Sequence, residues 1–245
     1  MKFAIIAAGE GSRLANEGVK QPKPLVEIAG ESLIDRLLRI FADHHATEIV
    51  VICNEYSQEV IDHLRNIQNE GFNGRNIPLR LVIRTTPSSM HSFYEISRYL
   101  SDDIFCLTTV DTIFKESEFG NYLETLHRFT SSENFDGVMG VTDFIDDEKP
   151  LYISTDDNDI ITGFFDRQNS CCLISGGIYG LSPKVLPILQ HCIDTQVTRM
   201  RNFQRALVDE GCRLKAYSFS KILDIDHAGD IDKASTFLKE HDRLS

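Results

Sequence analysis

The chain has 245 residues, 42% of them hydrophobic, with 25 Lys and Arg against 37 Asp and Glu and a formal net charge of -12. No run approaches the ~20 apolar residues that cross a bilayer, and an acidic chain without clustered basic residues lacks the footprint of a nucleic-acid binder. Met1 leads into apolar residues and not into a basic, apolar and small-residue leader, so a cytoplasmic protein with no nucleic-acid or membrane partner is expected.

Lys2 to Ala8 form an apolar run suited to a buried parallel strand. Gly9-Glu10-Gly11-Ser12-Arg13-Leu14 follows, and Lys23 stands further on inside Gln21-Pro22-Lys23-Pro24-Leu25. Glycines just after such a strand let the backbone approach phosphates that a β-carbon would repel. The backbone of Ala7, Ala8, Gly9, Gly11 and Ser12 then forms a nucleotide cradle, with Arg13 and Lys23 facing the same polyanion. Leu14 stands where a Rossmann fingerprint needs its third glycine, and the Gly-Lys-Ser/Thr of a Walker A loop is absent. Two prolines pin the backbone on both sides of Lys23, which aims that lysine. A tight turn with two incidental basic residues is the plainer alternative.

Leu33, Leu37, Leu38 and Phe41 have helical spacing, as do Val60, Ile61, Leu64 and Ile67, with Ser57 as the expected N-cap. Apolar runs at Ile49 to Cys53, Leu79 to Ile83, Ile104 to Val110 and Gly137 to Val141 read as strands, with further helices over Ser92 to Leu100 and Glu118 to Phe129. This alternation predicts a doubly wound, mostly parallel α/β sheet with helices on both faces. The stretch from Arg84 to Ser92 follows a strand and precedes a helix. Thr86, Ser88, Ser89 and Ser92 there either line a base pocket or cap and turn the chain.

Asp111 stands directly after a central strand, at the carboxyl end where α/β proteins bind ligands, although an N-capping role fits the same place. After about residue 143 the strand-like pieces shorten, at Leu151 to Ser154, Ile160 to Phe165 and Cys171 to Tyr179, as in a small mixed-sheet insertion. Helical segments near Val185 to Ile193 and Phe203 to Glu210 precede strands around Leu214 to Phe219 and Ile222 to Ile225, and a last helix starts about Gly229. Alternation along a strand puts Asp224 and Asp226 on one face, so either or both can reach a metal, and two hard oxygen donors from distant positions suit Mg2+. Asp230 is expected to cap the last helix. The six cysteines show no C-x-x-C pair, so zinc is not expected, and Cys171 and Cys172 are read as alternating faces of a strand.

The opening Ala-Ala-Gly-x-Gly-x-Arg-Leu and the later Pro-Lys-Pro-Leu resemble the sugar-nucleotide pyrophosphorylases and related nucleotidyltransferases. The resemblance implies a Rossmann-like sheet of the glycosyltransferase-A type, an NTP substrate, a phosphorylated small-molecule acceptor, and Mg2+ held by Asp111 with Asp224 or Asp226. It also implies a catalytic role for Arg13 and Lys23, and no protein base, so His227 is not read as catalytic. Val110 replaces the family's Gly before Asp111. Ser175-Gly176-Gly177-Ile178-Tyr179 resembles the family's Asn-Ala-Gly-Ile-Tyr, which places Gly177 and Tyr179 beside the acceptor. Asp166 and Arg167 stand where relatives carry Glu-Lys-Pro, so Arg167 either grips the acceptor phosphate or is solvated. The Ser-rich Arg84 to Ser92 stretch is closer to the choline-phosphate cytidylyltransferase-like branch. One domain is expected, with a nucleotide half over 1–143 and an acceptor half with the closing helix over 144–245. That helix either faces the core or serves a homodimer.

Overall fold

In the computed structural model, which describes residues 1–132, 135–168 and 171–242, the first apolar run forms β1 (Lys2–Ala7). The glycine loop turns into the short α1 (Ser12–Asn16), and β2 (Glu27–Ile28) and β3 (Glu31–Ser32) make a tight hairpin into α2 (Leu33–Asp43). Ser32 caps α2, its hydroxyl accepting from the Asp35 N–H at 3.2 Å. β4 (Glu48–Cys53), α3 (Gln58–Glu70), β5 (Leu79–Ile83), α4 (Ser89–Ser97) and β6 (Phe105–Thr109) continue the strand and helix alternation. β7 (Thr112–Phe114), α5 (Glu116–Ser132) and β8 (Gly137–Thr142) follow, then the hairpin of β9 (Tyr152–Thr155) and β10 (Ile161–Phe165), and then β11 (Leu173–Leu181). α6 (Leu186–Asp194), α7 (Met200–Asp209), β12 (Leu214–Ser218), β13 (Ile222–Asp224) and α8 (Ala228–Asp242) complete the described chain.

Across the sheet the strands run β5, β4, β1, β6, β11, β8, β12, with β9 and β10 alongside the first residues of β11. The β1/β4, β4/β5, β1/β6 and β8/β12 pairs are parallel, whereas β11 runs antiparallel to β6 and β8. This is the doubly wound α/β sheet with a mixed insertion. Alternate residues of β1 enter opposite cores, as strand geometry requires. Phe3, Ile5 and Ala7 pack with the apolar faces of α2, α3, α5 and α8, while Ala4, Ile6 and Ala8 pack with α4, α6 and α7. Each fully buried Leu, Ile or Phe in these layers contributes about 1.5–3 kcal/mol relative to exposure.

Four expectations change in detail. Ser57 occupies the N-cap position of α3, but its side chain makes no cap bond. The Asn54 Oδ1 accepts instead from the Tyr56 and Ser57 N–H groups, at 3.1 and 2.9 Å. Ala234 and Phe237 of α8 are buried, so the closing helix packs these apolar residues on the core. Cys171 is buried and Cys172 exposed, but β11 begins only at Leu173. β13 stops at Asp224, and this decides where Asp226 goes.

Candidate active site

β1 pairs with β4 on one side and with β6 on the other, so the strand order reverses beside it. In open α/β sheets the crevice at such a reversal, outside the carboxyl strand ends, is the ligand site. The loops after β1 and β6 both open there, and the Val110 N–H donates to the Ile6 carbonyl at 3.0 Å, setting Asp111 beside the glycine loop. Gly11 has φ 62°, and a Cβ on it would lie 2.9 Å from the Lys23 Cβ. The glycine therefore lets the Pro-Lys-Pro segment pack directly on the loop. A Cβ on Gly9 would meet nothing within 4 Å, because that face looks into open space.

Lys23, with its side chain only 12% exposed, forms ion pairs with Asp111 and, at 2.8 Å, with Asp226. Arg13 reaches the second oxygen of Asp226 at 2.7 Å. Burial alone would lower the Lys23 pKa, but Asp111 and Asp226 outweigh it and hold the ammonium above the ordinary lysine range. For Asp226 burial pushes upward and is overcome by Lys23, then Arg13, which keep its carboxyl below the usual range. Arg13, Lys23, Asp111 and Asp226, from three distant parts of the sequence, thus form one charged cluster.

A cavity of about 680 Å³ opens on this cluster, lined by Ala8, Gly9, Gly11, Ser12 and Lys23 on one wall and by Thr86, Ser88, Ser89, Ser92 and Asp111 on the other. Ala7 does not line it, because its side chain points into the α2 side of the core. Thr86 and the buried Ser92 share a hydroxyl bond of 2.6 Å, and the Ser88 Oγ is 2.9 Å from the His91 Nδ1. Ser88 sits at the N-cap position of α4 without a cap bond, which leaves the base-pocket reading for these hydroxyls in place.

The carboxylates divide differently from a simple strand alternation. Asp224 pairs with Thr112 in the β7/β13 ribbon, and the Ile225 N–H donates to the Asp111 carbonyl at 3.2 Å. Asp111 and Asp224 consequently face one pocket. Asp224 is exposed in the cleft, where desolvation by its neighbours first, then the charges of Asp111 and Asp147, push its pKa above the ordinary carboxylate value. Asp226 lies past the strand end and is committed to Lys23 and Arg13, so the shared strand face expected for Asp224 and Asp226 does not form. Among the described residues no group of three or more His, Cys, Asp or Glu is set to hold a metal. The facing pair Asp111 and Asp224, an electrostatically strained couple of hard oxygen donors, still fits Mg2+, which draws its other ligands from water and phosphate. Asp230 accepts from the His227 N–H at 2.8 Å and the Asp226 N–H at 3.2 Å, the capping role expected of it.

On the β11 side of the cleft Gly177 has φ 72°, and a Cβ there would meet the Thr112 Oγ1 at 2.8 Å. Gly177 and the buried Tyr179 line the pocket that Asp111 and Asp224 share. Asp166 and Arg167 do not line it. Asp166 is instead paired at 2.7 Å with both Arg201 and Arg205, and Arg167 is exposed at the end of the β10 hairpin. The cations that do line the pocket are Lys149, Arg199 and Arg201, which the sequence reading missed. They sit in a loop, at the N-cap and in the first turn of α7, where no periodicity singles out a charge.

Glycine loop, aimed lysine and paired aspartates at the switch point of a doubly wound sheet define the class of nucleotidyltransferases. The chain belongs to the family of the MobA-like NTP transferase domain, whose pattern matches residues 3–154. It is 25% identical over 201 residues to the bifunctional protein GlmU of Methanococcus vannielii, covering 80% of this chain and 44% of that protein. It is 29% identical over 66 residues to the glucose-1-phosphate cytidylyltransferase of Salmonella typhimurium, covering 27% of this chain and 26% of that one. The chain thus spans less than half the length of these relatives. The structure of the inositol-1-phosphate CTP transferase from T. maritima superposes with a TM-score of 0.76 at 19% identity, covering 98% of this chain and 96% of that one, a likeness of fold.

Proposed function

We propose that the chain transfers a nucleotidyl group from an NTP to a phosphorylated small-molecule acceptor, with a sugar-1-phosphate as the leading acceptor, releasing pyrophosphate and forming an NDP-sugar. The observation that carries this is the bridge made by Lys23 between Asp111 and Asp226, under Gly11 and at the mouth of the cavity of about 680 Å³. An acceptor phosphate oxygen attacks the α-phosphorus in line. The new O–P bond forms as the α–β bridging bond breaks, and the electron pair leaves with pyrophosphate. The nucleophile is already anionic, so alignment and charge neutralisation carry the catalysis. Arg13, Lys23 and the Gly9 to Gly11 backbone neutralise the departing pyrophosphate, while the Thr86 to Ser92 hydroxyls orient the base. Asp111 and Asp224 would hold Mg2+, which would supply charge neutralisation at the phosphate oxygens. One unit with a nucleotide half over 1–143 and an acceptor half over 144–245, acting in the cytoplasm, completes the reading.

A second acceptor class, phosphocholine or another phosphorylated alcohol, is favoured by the acidic strip Asp146, Asp147 and Glu148. It lines a cavity of about 340 Å³ that Asp224 also lines; Lys233 pairs with Asp146 and His227 with Glu148, which leaves Asp147 and Asp224 to meet a cationic head group. The test is a grid of each NTP with Mg2+ against sugar-1-phosphates and phosphocholine, scored by pyrophosphate release. Release with one sugar-1-phosphate supports the first reading, and release with phosphocholine alone selects the second. Silence across the grid with NTP binding intact rejects both and leaves a nucleotide-sensing module.

A further inference from the structure

The acceptor pocket sets three carboxylates, Asp111, Asp147 and Asp224, against three cations, Lys149, Arg199 and Arg201, and the proposed acceptor carries a phosphate. A dianion enters such a pocket only where an uncommitted cation meets it. Arg201 is committed: one of its nitrogens pairs with Asp166 at 2.7 Å, and another donates to the Lys149 carbonyl at 2.8 Å. Arg205 is paired with Asp166 as well, also at 2.7 Å. Arg199 is exposed, lines the pocket, and among the described residues its guanidinium has no partner.

The backbone of Arg199 has φ 74° and ψ 139°, a conformation that glycine favours and a side-chain-bearing residue adopts only under constraint. The constraint is visible on both sides. The Arg199 N–H donates to the Ser88 Oγ at 3.4 Å, and the next residue, Met200, is buried at the start of α7. Such strain persists where the surroundings impose it, and it clusters at ligand clamps. Ser88 belongs to the wall of the nucleotide cavity, and its neighbour Ser89 lines both cavities. Arg199 is therefore held in the acceptor pocket by the loop assigned to the base.

We propose that Arg199, with Lys149 beside it, grips the phosphate of the acceptor in place of Arg167, and that the Ser88 contact ties this grip to the nucleotide loop. The guanidinium fork matches two phosphate oxygens at once, which a lysine cannot do. The assignment of this phosphate to an acceptor rests on the nucleotidyl-transfer reading above.

The test is calorimetric titration of the full chain with glucose 1-phosphate, phosphocholine and inorganic phosphate, with the triphosphate cradle filled by magnesium pyrophosphate. At least one of the three binds the wild-type protein, and Arg199→Gln weakens that binding by about tenfold or more. Arg199→Gly weakens it equally while raising the thermal unfolding midpoint by about 2 °C, because glycine relieves the strained backbone. An arginine with a merely structural role would not move binding and stability in opposite directions. Wild-type affinity in Arg199→Gln, loss through Arg167→Gln alone, or no binding by the wild-type protein overturns the proposal. Failure of the nucleotidyl-transfer reading looks different: no pyrophosphate is released with any NTP, while phosphate binding still depends on Arg199.

Discussion

Gly9 and Gly11 stand two residues apart in one loop and meet different constraints. Gly11 has positive φ and its missing Cβ makes room for Lys23, whereas Gly9 faces the empty side of the cleft. Gly11→Ala is expected to destabilise the protein by about 1–2 kcal/mol in urea unfolding and to displace Lys23, lowering turnover. Gly9→Ala is expected to leave stability within about 0.5 kcal/mol, since nothing lies near the new methyl group. It should nonetheless weaken NTP binding about tenfold or more in a direct titration, because the methyl fills space left for phosphate. Equal stability losses in the two variants would show that the loop's glycines serve folding alone. Lys23→Ala removes the cation between two carboxylates and, on the proposed mechanism, the neutraliser of the leaving group. Turnover measured by pyrophosphate release should fall on the order of 10² to 10³.

At the scale of elements, α2 and α3 are joined by an imidazole and a carboxylate. The His63 Nε2 lies 2.6 Å from the Asp35 Oδ1, and the hydrogen bond to Asp35 outweighs burial and raises the histidine pKa above its ordinary value. Folding therefore favours the protonated imidazole. Its contribution is complete below the unfolded value of about 6.5 and is lost as pH rises through the higher folded value. A double-mutant cycle of Asp35→Asn and His63→Gln should show a coupling of about 0.5–1 kcal/mol at pH about 5, vanishing at pH about 9. A coupling independent of pH would mean that the pair is joined by a neutral hydrogen bond. The longer elements were legible because their burial leaves a period: unbroken apolar runs for β1, β4 and β6, and one apolar stripe for α2 and α3. The β2/β3 hairpin and β7 of the β7/β13 ribbon were not, since strands of two or three residues are too short to show any period, and β13 was legible from Ile222 to Ile225 without its partner. Arg36 was missed for another reason. It lies on the apolar face of α2, only 2% exposed, and its guanidinium donates to the Phe114 carbonyl at 2.8 Å, a partner 78 residues away. The same ribbon explains the misplaced Asp226, because alternation holds only as far as the strand continues, and β13 ends at Asp224.

Over the whole molecule, the site is assembled by topology. Residues 9–23 come from the loop after β1, Asp111 from the end of β6, and Asp224 from a ribbon that returns beside it late in the chain. Bringing these carboxylates together in one cleft opposes folding, because desolvation by the neighbouring groups and the charges of Asp111 and Asp147 disfavour an ionised Asp224. With its folded pKa raised, Asp224 binds a proton more tightly folded than unfolded. Its unfavourable effect therefore appears as pH rises through that folded value, and Asp226, held low by Lys23, behaves in the opposite sense. A cation bridging Asp111 and Asp224 would relieve the repulsion and link function to global stability. Magnesium with NTP at about a hundredfold over its dissociation constant should add ~2.7 kcal/mol, or about 5–10 °C in unfolding midpoint. Asp224→Asn should raise the midpoint of the ligand-free protein at neutral pH, abolish most of that increment and suppress pyrophosphate release. A ligand-free Asp224→Asn protein less stable than wild type would mean that the aspartate holds the ribbon together. An undiminished magnesium response would move the metal away from Asp224.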